Sequence, residues 1–178
     1  MTDGVLVLID VQQVFAAADS PWGAPRFAEV HPAIRRLTAG FAGRVVHTRF
    51  VAPAEPTGAW VPYYAQFPFA LTSPDAPLYD LVDDPGDDPV VTATTFGKWG
   101  PELADLVGDG PLVLAGVSTD CCVLSTALPA ADAGVGVQVV TDACAGASDA
   151  DHERALAAMA LYAPLITLTT TDAVLAGR

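Results

Sequence analysis

The sequence predicts an α/β fold, a six-stranded and mostly parallel sheet flanked by helices. Two observations carry the prediction. Short apolar runs rich in β-branched residues recur along the chain, and segments of helical spacing lie between several of them. Runs that are apolar at successive positions suit strands buried on both faces, and alternation of such strands with helices suits parallel pairing.

The predicted strands cover residues 5–9, 44–48, 89–92, 112–115, 135–140 and 165–168. Helical spacing predicts helices over 27–41, 101–107, 122–133 and 149–161. Ser148 with Asp151 three residues on resembles a capping box for the last of these, and Gly134 stands where the helix over 122–133 should stop. Pro129 lies inside that helix, where a missing N–H should bend it. The least regular stretch, 51–88, is proline-rich and carries the cluster Trp60, Tyr63, Tyr64, Phe67 and Phe69, then the acidic run 83–88. It reads as an irregular excursion from the sheet, so residues 1–178 are expected to form one domain.

Composition narrows the function. Eight Lys and Arg against 21 Asp and Glu give a formal net charge of −13, a surface that repels phosphate backbones and anionic lipid. Nucleic acid and membrane surfaces are therefore not expected as partners. With 52 % hydrophobic and 16 % charged residues the chain can fold, yet no apolar run is long enough to cross a bilayer. The N-terminus has no basic segment ahead of its apolar stretch, so a cytoplasmic protein is expected. Three cysteines, two of them adjacent, make no disulfide framework and no metal-binding spacing.

Open parallel sheets bind ligands beyond the carboxyl ends of their strands, so polar residues that end apolar runs are the first candidates for chemistry. Asp10 and Gln12 follow the first strand. Ser118, Thr119, Asp120, Cys121 and Cys122 follow the fourth, where a glycine turn leads into a helix. A thiol at a helix N-terminus is expected to be acidified by the unpaired N–H groups, which can also receive an oxyanion. Lys98, the only lysine of the chain, lies in Thr94-Thr95-Phe96-Gly97-Lys98-Trp99, just after the third strand. Cys, Asp and Lys at three strand ends would form a self-consistent device of nucleophile, base and orienting cation. Cys121 and Cys144 read as core residues, and His31, His47 and His152 as ordinary surface or strand-end residues.

The run Gly116-Val117-Ser118-Thr119-Asp120-Cys121-Cys122-Val123, with Thr126-Ala127 following, resembles the nucleophile element of the isochorismatase-like cysteine hydrolases. Asp10 with Gln12 is similar to that family's motif on the first strand, and Thr141-Asp142-Ala143-Cys144 to its element after the fifth. The resemblance implies a Rossmann-like three-layer fold with strand order 3-2-1-4-5-6, Cys122 as nucleophile and Asp10 as base. It also implies a cis peptide at Val117-Ser118, with the amides of Ser118 and Cys122 as the oxyanion hole. Gln12, Phe15 and Trp60 are assigned to substrate binding, and a homodimer or homotetramer is expected.

Two departures from the pattern matter. The family lysine stands about where Thr92 or Ala93 stands here, so either the loop brings Lys98 back or the thiol relies on Asp10 and the helix alone. Metal-binding members carry paired histidines after the second strand, whereas His47-Thr48-Arg49-Phe50 offers one, so neither metal nor other cofactor is expected. The activity implied is hydrolysis of an amide-like C–N bond in a small molecule through a thioester. The alternatives are an isochorismatase-type vinyl ether hydrolase and an inactive binding member of the family.

Overall fold

The computed structural model describes residues 4–178. Six strands, β1 (Val5–Ile9), β2 (Val45–Phe50), β3 (Val90–Ala93), β4 (Leu112–Val117), β5 (Val137–Ala145) and β6 (Ile166–Thr169), form one sheet in the order β3-β2-β1-β4-β5-β6. Every pair in it is parallel. Between and after the strands run α1 (Gln13–Ala16), α2 (Phe27–Gly40), α3 (Trp60–Gln66), α4 (Pro101–Val107), α5 (Leu124–Asp132), α6 (Asp149–Ala160) and α7 (Thr171–Ala176).

The period of two along β1 sorts the layers. Leu6 and Leu8 pack into one core with Phe27, Val30, Ile34 and Leu37 of α2 and Val174 of α7. Val7 and Ile9 pack into the other with Leu103 of α4, Ala127 and Ala130 of α5 and Met159 of α6. Side chains that alternate across a sheet therefore bury both of its faces, which is why the run is apolar at every position.

Several strands outrun their apolar signal at the carboxyl end. β2 continues to Phe50 and β4 to Val117, and β5 continues past Val140 to Ala145. In β5 the register slips, since the partner of Leu114 is Val139 whereas that of Gly116 is Cys144. Ladder bonds and specific side-chain partners hold these polar extensions; Asp142 Oδ1 accepts from Thr171 N and Oγ1 at 2.8 and 3.0 Å. The excursion 51–88 is less irregular than expected, because it forms α3 and two 3₁₀ turns at Pro68–Ala70 and Pro77–Tyr79. Ser148 caps α6 by accepting from Asp151 N.

β1 and β4 adjoin at the centre of the sheet, where the strand order reverses. Their close approach requires a glycine. At Gly116, φ is +117° and a Cβ would lie 2.2 Å from the Ile9 carbonyl oxygen. Asp10 leaves β1 at φ +47°, an unusual conformation for a residue with a side chain, and it stands directly beside this crevice.

Candidate active site

Asp10 and Lys98 meet under the floor of the crevice. Both side chains are fully buried, and Lys98 Nζ lies 2.9 Å from Asp10 Oδ2, close enough for an ion pair though not aligned as a hydrogen bond. The other carboxylate oxygen accepts from Thr48 Oγ1 at 2.7 Å, and that same hydroxyl accepts from Asp10 N at 3.0 Å. Lys98 Nζ also donates to the carbonyls of Thr95 and Phe96, at 2.6 and 3.0 Å. A charge pair taken out of water persists only with such further bonds to its members.

The position of Lys98 depends on how its segment lands on α5. Pro129 has no N–H, so the Ser125 carbonyl loses its helical donor. Gly97 packs against that carbonyl, with room for no Cβ, which would sit 2.5 Å from Ser125 O. Lys98 N then donates to Thr126 Oγ1 at 3.0 Å. The segment folds back, and the lysine reaches the end of β1 from well beyond β3.

Cys122 is 3 % exposed and faces a cavity of about 360 Å³. It does not start an α-helix as the sequence suggested. β4 runs two residues further than predicted, and a single π-helical turn, Thr119–Val123, intervenes before α5, closed by Val123 N on Ser118 O at 3.1 Å. The Val117–Ser118 peptide is cis. Two flanking contacts brace the turn: Thr119 Oγ1 lies 2.8 Å from His152 Nδ1, and Asp120 Oδ1 accepts from Ala147 N at 2.9 Å.

The expected acidification of the thiol is also corrected. Burial pushes the Cys122 thiol well above its ordinary range, the neighbouring Asp10 carboxylate adds to this, and Lys98 only opposes it. Desolvation disfavours the thiolate.

Ser118, Cys121 and Cys122 line one wall of the cavity, and Phe15, Trp22, Phe50, Tyr63, Phe67 and Phe96 form its aromatic part. Cys121 is thus half-buried and faces the cavity, where the sequence suggested a core residue. Two of the assigned binding residues do not line it. Gln12 is fully buried and spent, its amide donating to Phe50 O and Tyr79 O while its oxygen accepts from Phe50 N. Trp60 stands behind the wall, its ring against Tyr63, Tyr64 and Phe96. Phe15 does line it.

The sequence reading missed Trp22, the hub of the wall, whose ring meets Phe15, Phe50, Tyr63, Phe67 and Phe69. A lone tryptophan in a loop carries no periodic signal, and the nearest hint is the turn chemistry of Pro21 and Gly23 beside it. The histidines are not ordinary surface residues either. His31 Nε2 lies 2.6 Å from Asp83 Oδ2, His47 is buried 3.8 Å from Asp88, and His152 braces the nucleophile's turn. Among the described residues, no three His, Cys, Asp or Glu side chains converge on a point that could hold a metal ion.

A thiol on a tight turn at the switch point of an open parallel sheet, with a buried carboxylate and ammonium beside it, defines a doubly wound α/β hydrolase. The chain belongs to the isochorismatase family, whose domain model matches residues 4–172. It is 38 % identical over 88 residues to isochorismatase domain-containing protein 2 of Xenopus laevis, a match spanning 47 % of this chain and 42 % of that relative. Its fold is similar to that of a cysteine hydrolase from Pseudomonas syringae pv. phaseolicola 1448A, with a TM-score of 0.85 at 19 % identity, covering 98 % of this chain and 91 % of the other. It is also similar to N-carbamoylsarcosine amidase from Thermoplasma acidophilum, with a TM-score of 0.74 at 18 % identity and coverages of 94 % and 96 %.

Proposed function

We propose that this protein is a metal-independent cysteine hydrolase that cleaves an amide-like C–N bond in a small, uncharged, largely apolar molecule. The observation that carries the reading is a thiol at the wall of an aromatic cavity, with a buried carboxylate–ammonium pair beside it. Similarity to a cysteine hydrolase and to an amidase agrees with it.

In this mechanism Asp10 takes the Cys122 proton as sulfur attacks the substrate carbonyl, and the amides of Ser118 and Cys122 receive the oxyanion. Collapse of the tetrahedral adduct breaks the C–N bond, and the proton held by Asp10 passes to the leaving nitrogen. Water, activated by Asp10, then hydrolyses the thioester and releases the carboxylic acid and the free thiol. Lys98 balances the Asp10 charge. A resting thiolate would place two anions beside one cation out of water, so the proton moves only as negative charge is transferred to the substrate.

Among the described residues the cavity wall holds no Lys, Arg or His, so no cationic side chain there would pair with a carboxylate. This disfavours the vinyl ether reaction on isochorismate, a dianion. The approach of Lys98 to Asp10 supports an active member over an inactive one. The test is a panel of small amides and ureas, neutral against anionic, with hydroxylamine as trap. Neutral apolar amides should release ammonia or amine and yield a hydroxamate, and Cys122→Ala should lower kcat/KM by at least about 10³-fold. Unchanged turnover in Cys122→Ala, or preference for dianions, would overturn the proposal.

A further inference from the structure

We propose that Thr126 is a positioning residue whose hydroxyl locks the Lys98 segment onto the turn that carries Cys122. Its side chain is fully buried and makes two bonds at once, donating to the carbonyl of Cys122 at 2.7 Å and accepting from Lys98 N at 3.0 Å. One oxygen therefore joins the backbone of the nucleophile to the backbone of the cation. The residues around it serve the same contact. Gly97 leaves the space for the segment to lie on Ser125 O, and Pro129 frees that carbonyl by lacking a donor of its own. Thr95 O and Phe96 O hold the ammonium, so the turn 95–98 closes on itself and docks as a unit.

The need for such a lock follows from chain geometry. β3 ends at Ala93, and Lys98 lies in an irregular segment with no ladder to hold it. A rigid strand end would fix a cation without help, whereas a loop requires bonds to a fixed element. Valine matches threonine in shape but can neither donate nor accept, so Thr126→Val removes both bonds, the one from Lys98 N and the one to Cys122 O. Serine retains the hydroxyl.

The inference rests on Cys122 and Lys98 acting together, and its test reads thiol chemistry, not turnover, so a wrong assignment of the amide reaction leaves it intact. Iodoacetamide alkylation of Cys122 is followed by peptide mass spectrometry across a pH series in the wild type, Thr126→Val, Thr126→Ser, Gly97→Ala and Lys98→Met. Lys98 eases ionisation of the thiol, so its displacement should slow alkylation. Thr126→Val and Lys98→Met should both alkylate roughly tenfold more slowly at about pH 8, and Thr126→Ser should stay within about twofold of wild type. A folded Thr126→Val that alkylates like the wild type overturns the proposal, as does a Thr126→Ser that loses as much as Thr126→Val. Should Thr126→Val not fold, Gly97→Ala decides, because it retains the hydroxyl but lifts the segment. Slowed alkylation then supports the lock, and the wild-type rate overturns it.

Discussion

Two of the molecule's cavities are alike in size, about 360 Å³ over Cys122 and about 400 Å³ between α2 and the acidic run 83–88. The first is walled by aromatic rings and holds its charges beneath the floor. The second is lined by Asp83, Asp84, Asp88, Arg35 and His47, and holds its charges on the wall. Several of those groups have local partners: His31 and Arg35 approach Asp83, Asp84 Oδ1 accepts from Gly86 N, and His47 lies 3.8 Å from Asp88. Volume and charge therefore do not mark a site here. What distinguishes the first cavity is a buried thiol beside a buried ion pair, with apolar walls that strengthen the electrostatics of that pair.

The largest effect that sharpens this contrast should come from the ion pair. Lys98→Met leaves the Asp10 carboxylate buried beside Thr48 alone, which should lower stability by about 3–5 kcal/mol and kcat/KM by roughly 10²-fold or more. The double variant Asp10→Asn/Lys98→Met should recover much of the stability and none of the activity. Denaturant melts of the four proteins give the coupling energy. Simple additivity of the two losses would mean that the pair is not the buried unit described.

A smaller effect should follow at the wall. Trp22→Ala removes the ring that the other aromatics converge on, while leaving Cys122, Asp10 and Lys98 in place. KM for a neutral amide should rise about tenfold with kcat within about threefold, since the ring binds the apolar body and takes no part in bond breaking. An equal fall in kcat would show that the wall orients the reacting carbonyl as well.

Much of this arrangement could be read from the residues, and the remainder fails for identifiable reasons. Strand cores such as Val5–Ile9 declare themselves because burial on both faces demands apolar side chains at every position. The polar extensions of β4 and β5 stayed hidden because ladder bonds and partners distant in sequence, such as Thr171 for Asp142, hold them. Asp10, Cys122 and Lys98 stood out through position and rarity. Gln12 misled because a polar residue beside a buried carboxylate looks the same in sequence whether it lines a cavity or braces Phe50 and Tyr79. The role of Gly97 becomes legible only when the carbonyl freed by Pro129, thirty-two positions on, is known to lie against it.

The smallest effect should belong to the second cavity and should show in stability alone. Burial pushes the His47 imidazole below its ordinary range, more than Asp88 and Asp83 raise it, and burial lowers His152 likewise. A histidine whose folded pKa lies below its unfolded value of about 6.5 is held neutral by the fold, so its contribution is complete above that pH. As pH falls through this value the unfolded chain binds the proton first, and stability declines. The unfolding free energy should therefore drop between about pH 7 and pH 5, and His47→Gln should flatten part of that slope, leaving the share of His152. Turnover of the His47→Gln enzyme at neutral pH should stay within about twofold of wild type, because no residue lines both cavities. A larger loss would mean that the two cavities are energetically one site, and the contrast between them would fail.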